Sequence, residues 1–391
     1  MRTTRFAPMG TSHPAAVNSE SIPEERAHTA MSISANSLTN GNTEFRDDEF
    51  TALGLDTSPG LRLALASLQT QAQELSRLVT ATVDAMARPR ESLSPHSAAF
   101  AEIAARTIPR WHFAMLNDTE RNDALIVALE RRIPAGAHVL DIGTGTGLLA
   151  MAAARAGAGR VITCEENPLL AEIARQIIAE HGMSDVITVV NKRSTHLEMG
   201  TDLERPVDVL ISEIVDCGLI GEGLLPTMRH ARSQLLAPGG VLIPGAARVL
   251  GQLIHSEVAD GLNRVGNAGG FDVSLMNMAS TRGHFPVRLH TWPHEVLSGP
   301  VELLDLDLLA GPLEAGSRVV PVPVTAAGPA TALVAWFELD LGSGVVLRNS
   351  PDNVGSHWMQ ALIPFDKPLP VSPGERLDVE LHWTDHSLFA R

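Results

Sequence analysis

One stretch decides the fold class of this chain: VLDIGTGTG, residues 139–147. The apolar residues at 137–142 are typical of a short buried strand, and three alternating glycines follow them directly and open a helix that is predicted to run through Ala156. Glycines at such a place let a ligand approach the backbone, and the start of the helix offers free N–H groups. The order of strand, glycine loop and helix therefore predicts a site for a nucleotide-like ligand, although the bare G-x-G-x-G pattern is shared by dehydrogenases and methyltransferases.

Two acidic residues are placed to help bind this ligand. Asp141 precedes the loop, and Glu165 follows the next predicted strand, about twenty residues on, where an acid holds ribose hydroxyls. The full pattern looks more like an S-adenosylmethionine loop than a nicotinamide loop. The residues assigned to cofactor binding from this motif are Asp141, Gly143, Gly145, Gly147 and Glu165.

Working outward from the loop, apolar strands alternate with helices. A second strand is predicted at 161–164 and a helix at 168–181, and further strands are predicted at 186–190, 207–211 and 241–243. Strands that alternate with helices indicate a parallel sheet covered on both faces. This half of the chain is predicted to be a Rossmann-like domain.

From Pro244 onward the apolar residues follow a different period. Apolar and acidic residues alternate over 337–341, and apolar and polar residues alternate again over 377–382. Alternation with a period of two, in short runs separated by Gly and Pro, is typical of an antiparallel sheet or barrel. We therefore predict an α/β chain in which an antiparallel β-barrel domain follows the Rossmann-like domain.

Four segments are predicted along the chain. Residues 1–57 are rich in Ser, Thr, Asn and Glu and are expected to be a disordered tail, because they cannot bury enough apolar surface to offset chain entropy. A helical extension follows at 58–95, the Rossmann-like domain spans 96–244, and the barrel spans 245–391. Within the barrel, the glycine-rich segment at about 262–290 is interpreted as an inserted arm.

Two of these segments suggest self-association. The helix over 58–88 has one apolar stripe, with leucines that alternate at spacings of four and three, and it packs either on its own chain or in a dimer seam. The arm carries apolar residues that are too apolar to project singly into water, and glycines at its root. They are Phe271, Val273, Leu275 and Met276. We predict a homodimer formed through this arm.

Composition narrows the function classes. Of 391 residues, 44% are hydrophobic and 19% are charged, and no run reaches the about eighteen apolar residues of a membrane span. The formal net charge of −15 argues against nucleic-acid binding and permits a cationic substrate. Cys164 and Cys217 match neither a disulfide framework nor a zinc site, and no metal is predicted. The absence of a secretory signal and of disulfides favours the cytoplasm, and the excess of arginine over lysine favours a GC-rich bacterial source.

A loop with two glutamates carries a resemblance to a known family. The stretch SEIVDCGLIGEG, residues 212–223, resembles the double-glutamate loop of the protein arginine methyltransferases, and its glutamates keep the family's nine-residue spacing. Three other blocks, 115–121, 191–195 and 356–358, are similar to family motifs in the same order. The resemblance covers about 100–391, is closest to the monomethylating, type III-like subgroup, and implies a Rossmann-like S-adenosylmethionine-dependent methyltransferase domain followed by the barrel.

The chemistry of a guanidinium fits two carboxylates on one loop. This cation is always protonated and its nitrogens are poor nucleophiles, so a forked pair of carboxylates is needed to orient and polarise it. The resemblance assigns this role to Glu213 and Glu222, with Trp358 beside the substrate. It also implies that His357 and Asp118 form a pair that joins the barrel to the catalytic helix and removes the proton.

The remaining cofactor contacts also come from the resemblance. Arg121 would pair with the cofactor carboxylate, and Arg193 and Ser194 would bracket the adenine. The family's catalytic helix usually carries tyrosines that close over the cofactor, but this chain has no tyrosine. His112, with aromatic neighbours, occupies that region instead.

The predicted function is transfer of one methyl group from S-adenosylmethionine to a terminal (omega) guanidino nitrogen of arginine. The N-terminal extension favours free L-arginine in specialised metabolism as the acceptor, and peptidyl arginine is the first alternative. A catalytically silent dimeric scaffold and a methyltransferase for another small cation stay open. Gly218 removes bulk near the glutamates and would open room for a second methyl, which speaks against monomethylation.

Overall fold

A computed structural model describes residues 66–73, 75–77, 79–80, 104–105 and 107–391 of the chain. The predicted tail at 1–57 lies outside the described residues, as do the ends of the predicted helical extension. The described part of that extension is helical, and its apolar side chains Leu68, Leu75 and Val79 are exposed. Among the described residues, none of the helices has both the length and the apolar composition that a membrane span requires.

The Rossmann-like half begins with two helices and a parallel sheet. Helix α1 spans Trp111–Leu116 and helix α2 spans Thr119–Arg132. The strands and the helices between them are β1 (His138–Ile142), α3 (Leu148–Arg155), β2 (Arg160–Cys164), α4 (Pro168–Glu180), β3 (Ile187–Val190), β4 (Val207–Ser212), α5 (Leu224–His230) and β5 (Leu236–Ile243).

The five strands run parallel in the order β3-β2-β1-β4-β5. Every residue of β1 is buried, including the polar His138 and Asp141, which explains why its sequence does not alternate between apolar and polar residues. The sequence predictions for these strands and helices agree with the structure, apart from shifts of a few residues at their ends. Helix α4 begins at Pro168 behind Asn167, whose side chain caps the first turn as the pattern of a polar cap before proline suggests.

The second half is antiparallel. Its strands are β6 (Ala246–His255), β9 (Phe285–Val287), β10 (Glu295–Val296), β11 (Val301–Asp307), β12 (Gly316–Pro323), β13 (Gly328–Gly342), β14 (Val345–Arg348), β15 (Gln360–Val371), β16 (Arg376–Trp383) and β17 (Leu388–Ala390). Seven strands form one sheet around β6, β13 and β15, and β12, β16 and β17 form another. The predicted alternation is seen in β13, where Phe337, Leu339 and Leu341 are buried.

Helix α2 ties the two halves together through its last residue. Arg132 Nη1 donates to the carbonyl of Leu242 at the end of the parallel sheet and to that of Leu341 in β13, each at 3.0 Å. Gly342 has a φ of +83°, and a side chain there would press against the guanidinium at 2.5 Å. The close approach of helix and barrel therefore requires glycine at this position.

The inserted segment is shorter than predicted. It follows helix α6 (Glu257–Asp260), contains the two-stranded pair β7 (Asn267–Ala268) and β8 (Phe271–Asp272) and a 3₁₀ turn at Ser274–Ala279, and rejoins the barrel at β9. The predicted end at 290 was wrong because β9 pairs with β15 and Val287 is buried in the barrel. We therefore define the arm as residues 261–283.

Candidate active site

Three loops start side by side at the carboxyl edge of the parallel sheet. In the register of β1 with its two neighbours, Ile142 lies opposite Cys164 of β2 and Ser212 of β4. The order of strands reverses at this point, which is where α/β sheets bind their ligands. Glu165 and Glu213, both predicted site residues, are the first residues of the second and third loops.

The glycine loop adopts the backbone that its sequence predicts. Gly143, Gly145 and Gly147 have φ values of +90°, +53° and +85°. A side chain at Gly143 would meet Ile214 at 3.0 Å, whereas nothing lies within 4 Å of the place where Gly145 would carry one. The middle glycine therefore borders open space, as a close approach of a ligand requires.

Glu165 is held against this loop. One carboxylate oxygen accepts the N–H of Gly145 at 3.0 Å, and the other accepts the N–H of Asn167 at 2.9 Å. Its side chain is almost buried. Each carboxylate oxygen can accept a further hydrogen bond, so ribose hydroxyls remain possible donors.

Buried polar atoms beside the loop have no hydrogen-bond partner among the described residues. Asp141 accepts the Thr163 hydroxyl at 2.8 Å with one oxygen, but its other oxygen, Arg121 Nε and Ser212 Oγ are unpaired. Burial raises the pKa of Asp141 to about 7. Orphaned polar atoms of this kind are rare in proteins and indicate a polar ligand or ordered water at this place.

Asp118 and His357 lie in contact, as the resemblance predicted, although 239 residues separate them. Asp118 caps helix α2 by accepting the N–H of Arg121 at 3.0 Å, and its second oxygen accepts the His357 ring N–H at Nδ1 at 2.9 Å and the His357 backbone N–H at 2.8 Å. Burial alone would raise the pKa of Asp118, but these hydrogen bonds outweigh it and lower the pKa. Burial also lowers the pKa of His357, despite the carboxylate.

Arg121 and Glu213 form a buried ion pair, with side chains 4% and 5% exposed. Arg121 also donates to Asn122 Oδ1 at 2.8 Å, and its guanidinium lies 5.9 Å from the centre of the Trp358 ring. Burial raises the pKa of Glu213, and the nearby guanidinium offsets part of this effect. The sequence prediction gave Arg121 a contact with the cofactor alone, and this pair is an additional contact.

Glu222 differs from Glu213 in its surroundings. It is exposed at the other end of the double-glutamate loop (residues 212–223). Although part of the side chain is exposed, the nearby protein desolvates the carboxylate. This desolvation and the negative charges of Glu213 and Asp216 raise the pKa of Glu222 to about 7. The loop thus presents one buried, paired carboxylate and one exposed carboxylate that ionises near neutral pH.

Trp358 supports the loop from the barrel side. Its indole N–H donates to the carbonyl of Val215 at 3.1 Å, and its ring packs edge-on against Phe337 at 5.1 Å and lies 4.1 Å from the His357 ring. The residue is buried. These contacts hold Trp358 against the first half of the double-glutamate loop, and its role in substrate binding stays a prediction.

The predicted adenine-side residues lie at the end of β3. Arg193 is exposed and forms a 3.1 Å ion pair with exposed Glu166, whereas Ser194 is buried at the start of a short 3₁₀ turn. Ser194 is therefore the better placed of the two to contribute a fixed hydroxyl. Both assignments stay predictions.

Aromatic side chains replace the expected tyrosines on helix α1. His112 stacks on Trp111 with ring centres 3.8 Å apart and bonds through Nδ1 to the carbonyl of Pro109 at 2.9 Å. Trp111 and Phe113 are 46% and 67% exposed. Exposed apolar rings of this size are available to cover a bound ligand.

Two residues that hold the double-glutamate loop were missed from sequence. Asp216 lies inside the loop, and His284 Nε2 is 2.6 Å from its carboxylate. Asp216 offered a weak signal, because it stands between the two glutamates. His284 offered none, since it is 68 residues away in a segment without a motif.

Comparison with known proteins finds methyltransferases. Residues 250–388 match the family model of the arginine methyltransferase oligomerization subdomain, and residues 123–244 match that of the ribosomal protein L11 methyltransferase. The chain is 61% identical over 327 residues to an arginine N(omega)-methyltransferase of Streptomyces achromogenes subsp. streptozoticus. The match covers 84% of this chain and 91% of that protein. It is 35% identical over 330 residues to protein arginine N-methyltransferase 7 of Aedes aegypti, across 70% of this chain and 47% of that longer protein.

Solved structures show the same fold. The PRMT1 enzyme–prozyme heterotetrameric complex with AdoHcy of Trypanosoma brucei superposes with a TM-score of 0.61 at 26% identity, over 69% of this chain and 86% of that chain. Protein arginine methyltransferase 10 of Arabidopsis thaliana, solved in an open conformation, superposes with a TM-score of 0.57 at 22% identity and the same coverage.

Proposed function

The chain belongs to the protein arginine methyltransferase family, and from this membership we propose that it transfers a methyl group from S-adenosylmethionine to a terminal nitrogen of an arginine guanidinium. One observation carries the proposal. Glu213 and Glu222 lie on the loop that follows β4, directly beside the glycine loop that follows β1. Two carboxylates that can accept hydrogen bonds from a guanidinium therefore lie at the carboxyl edge of the sheet, which supports the proposal.

The residues present fit S-adenosylmethionine. The unpaired oxygen of Asp141 suits an ammonium group, and the unpaired Nε of Arg121 suits a carboxylate, which are the two charged groups of the cofactor's amino-acid end. Glu165 suits the ribose and Ser194 the adenine. The cofactor supplies an electrophilic methyl group on a sulfonium.

The carboxylates of Glu213 and Glu222 contribute by positioning the substrate. Glu213 and Glu222 hold the guanidinium so that one terminal nitrogen faces the methyl group, and orientation of this kind can contribute roughly 7–11 kcal/mol to lowering a barrier. The methylated product would stay singly charged only if one N–H proton left the guanidinium. His357 can accept it at Nε2, because its Nδ1 proton is donated to Asp118.

We propose free L-arginine as the acceptor. The Streptomyces relative at 61% identity is named for arginine itself, whereas the insect and plant relatives at 30–35% are named for protein arginine. We further propose that one methyl is added. His357 and Trp358 lie in contact next to the loop that carries Glu213, and closely packed interiors rarely leave unused room for an added methyl group. A side chain at Gly218 would lie 2.5 Å from the His284 ring, and the expectation that Gly218 opens room for a second methyl stays a prediction.

One incubation tests acceptor and product together. The full chain is supplied with labelled S-adenosylmethionine and either L-arginine or an Arg-Gly-rich peptide, and the products are resolved by mass after long reaction with excess cofactor. We expect monomethylated L-arginine. Label in the peptide alone would show a protein methyltransferase, and abundant dimethylarginine would contradict monomethylation. No transfer to either acceptor would favour the catalytically silent scaffold.

The pH dependence of the reaction should report on the two glutamates. Only the ionised carboxylates bind the guanidinium, and the pKa of Glu222 is raised to about 7. At saturating cofactor, kcat/KM for the acceptor should therefore rise between about pH 6 and about pH 8 and then level off. The acceptor itself keeps its charge throughout. A flat profile in the wild type, or an unchanged limb in Glu222→Gln, would argue against this assignment.

Glu165→Ala should weaken cofactor binding. The substitution removes the ribose contacts and also frees the N–H groups of Gly145 and Asn167. The loss of one net charge-assisted hydrogen bond, worth about 1.5–3 kcal/mol, predicts an increase in the cofactor Kd of about 10- to 150-fold, measured by calorimetry. Glu204→Ala, which removes only an exposed ion pair with Arg160 away from the predicted site, is the control and should bind normally. Equal cofactor Kd values for the two variants would show that Glu165 does not bind the cofactor.

We propose that the chain is a homodimer and that the arm forms the contact. Phe271, Leu275, Met276 and Met278 are all at least 51% exposed on it. The arm is an ordered projection, because Asn263 bonds both ways with Thr281 across its base at 2.7 and 2.8 Å. Apolar side chains concentrated on an ordered projection are typical of an interaction surface.

A charged variant of the arm tests the dimer without deleting it. Phe271→Asp combined with Leu275→Asp should give a monomer in sedimentation at micromolar concentration, because each aspartate would be desolvated in an apolar contact. Val319→Asp, on the exposed face of β12 and 60% exposed, is the control and should stay dimeric. A monomeric wild type would refute the proposal. A double variant that stays dimeric would show that the dimer contact lies elsewhere on the chain.

A further inference from the structure

The last residue before β9 reaches the double-glutamate loop. His284 directly follows the arm, and its side chain is only 4% exposed. Nε2 lies 2.6 Å from Asp216 Oδ2, and Nδ1 lies 3.0 Å from the backbone N of Leu388. Asp216 stands between Glu213 and Glu222 in the chain, so the arm's end touches the centre of the loop that carries both carboxylates.

The hydrogen bonds fix the tautomer of the ring. A backbone N–H can only donate, so Nδ1 accepts from Leu388 and the ring proton is on Nε2, where it is donated to Asp216. The other oxygen of Asp216 accepts the N–H of Gly221 at 2.8 Å, and Gly221 immediately precedes Glu222. A continuous chain of hydrogen bonds therefore runs from strand β17 through His284 and Asp216 to the residue next to Glu222.

Two glycines of the loop make room for this contact. A side chain at Gly218 would lie 2.5 Å from the His284 ring, and one at Gly221 would lie 2.3 Å from the Asp216 carboxylate. The loop is thus wrapped closely around the pair. We call His284 and Asp216 the clamp.

Metal binding does not account for this cluster. Asp216, Cys217 and His284 offer ligand atoms within 4.8 Å of one another. However, both carboxylate oxygens and both ring nitrogens are already used in hydrogen bonds to protein groups, and burial raises the pKa of the Cys217 thiol well above its usual range. A buried thiol that stays protonated is a poor metal ligand.

We propose that His284 and Asp216 are positioning residues for the methyl transfer, which set the separation and direction of Glu213 and Glu222 and connect that setting to the root of the arm. This inference rests on the proposed function. The barrel supports the first half of the loop through Trp358, which bonds to Val215, and the clamp supports the second half through Gly221. The exposed carboxylate of Glu222 depends on the clamp, since its own side chain has no other fixed support near Gly221 among the described contacts.

Three variants separate packing from hydrogen bonding. His284→Phe keeps a ring over Gly218 but loses both bonds, whereas His284→Gln retains a donor toward Asp216. Asp216→Asn turns one acceptor into a donor that faces either the Gly221 N–H or the Nε2 proton, and the ring cannot change tautomer because Leu388 holds Nδ1. His290→Phe is the control, because His290 is exposed in the 3₁₀ turn after β9.

The variants are compared by kcat, by cofactor Kd and by amide hydrogen exchange over residues 216–223. We expect kcat to fall by about 10- to 100-fold in His284→Phe and Asp216→Asn, an effect of displaced catalytic groups, with partial recovery in His284→Gln. The cofactor Kd should stay within about twofold of wild type, since the glycine loop is untouched, and exchange over 216–223 should quicken. A structural role alone would weaken cofactor binding as much as turnover and would show no recovery with Gln.

Amide hydrogen exchange tests the clamp even if the protein shows no turnover. If the wild type transfers no methyl group to any arginine, the proposed function is lost, while exchange still shows whether His284 and Asp216 order the loop. Unchanged exchange over 216–223 in both His284→Phe and Asp216→Asn would overturn the clamp. Wild-type kcat in these variants, in an enzyme that methylates arginine, would overturn it equally.

Discussion

Glu222→Gln is expected to lower kcat/KM for the acceptor by about 100-fold while the cofactor Kd stays unchanged. The neutral amide keeps the size of the side chain, but it replaces a charge-assisted hydrogen bond to the guanidinium with a neutral one. Such a bond in a partly enclosed site is worth about 1.5–3 kcal/mol, and each 1.4 kcal/mol is a factor of ten. Glu222 has no ion pair in the structure, so its removal leaves no other charge unpaired within the described residues.

The measurement is initial rates at saturating cofactor, with calorimetry for the cofactor itself. Glu198→Gln, at an exposed acid outside the double-glutamate loop, is the control for a lost negative charge. Turnover within about threefold of wild type would remove Glu222 from the acceptor pocket, since a factor of three is only about 0.7 kcal/mol.

Glu213→Gln should be equally inactive but for two reasons. It removes the second carboxylate of the pocket, and it also removes the partner of buried Arg121. From sequence alone, both glutamine variants are predicted to keep normal cofactor binding. Because of the ion pair, we do not expect an unchanged cofactor Kd for Glu213→Gln. The substitution would leave the positive charge of Arg121 unpaired in the site.

Local patterns were sufficient to predict most of the fold. The buried run of β1, the glycines after it and the alternation in β13 each depend on residues close together in the chain, and the structure agrees with all of them. The arm's end was placed too late because β9 has only 3 residues and carries Pro286, so its pairing with β15 leaves little trace in the sequence.

Long-range contacts in the site were harder to predict. Asp118 and His357 were paired only through the resemblance, since nothing local connects them. The contacts of Arg121 with Glu213 and of Asp216 with His284 join residues 92 and 68 positions apart, and both depend on how the barrel and helix α2 pack on the parallel sheet. Residue types alone indicate which groups can bind a guanidinium, whereas burial decides which of them are already paired.

The ion pair of Arg121 and Glu213 gives the largest expected effect on stability. Arg121→Met keeps much of the side chain's length but leaves the Glu213 carboxylate buried without its cation. Removing one partner of a buried pair costs about 3–5 kcal/mol in the free energy of unfolding, more than most single substitutions. We therefore expect a clearly lower urea midpoint for Arg121→Met at about pH 8, well above the pKa of an ordinary carboxyl group.

The loss should depend on pH in a definite direction. Burial already raises the pKa of Glu213 in the wild type, and the loss of the guanidinium raises it further. A carboxyl whose pKa is higher in the folded state takes up a proton on folding at intermediate pH, so its unfavourable effect is absent below its unfolded pKa, grows as pH rises towards the folded pKa and is complete above it. The difference between Arg121→Met and wild type should thus be smaller at about pH 5 than at about pH 8. Adding Glu213→Gln to Arg121→Met removes the buried charge and should restore part of the stability at about pH 8, whereas an additive double variant would show that the two side chains do not interact.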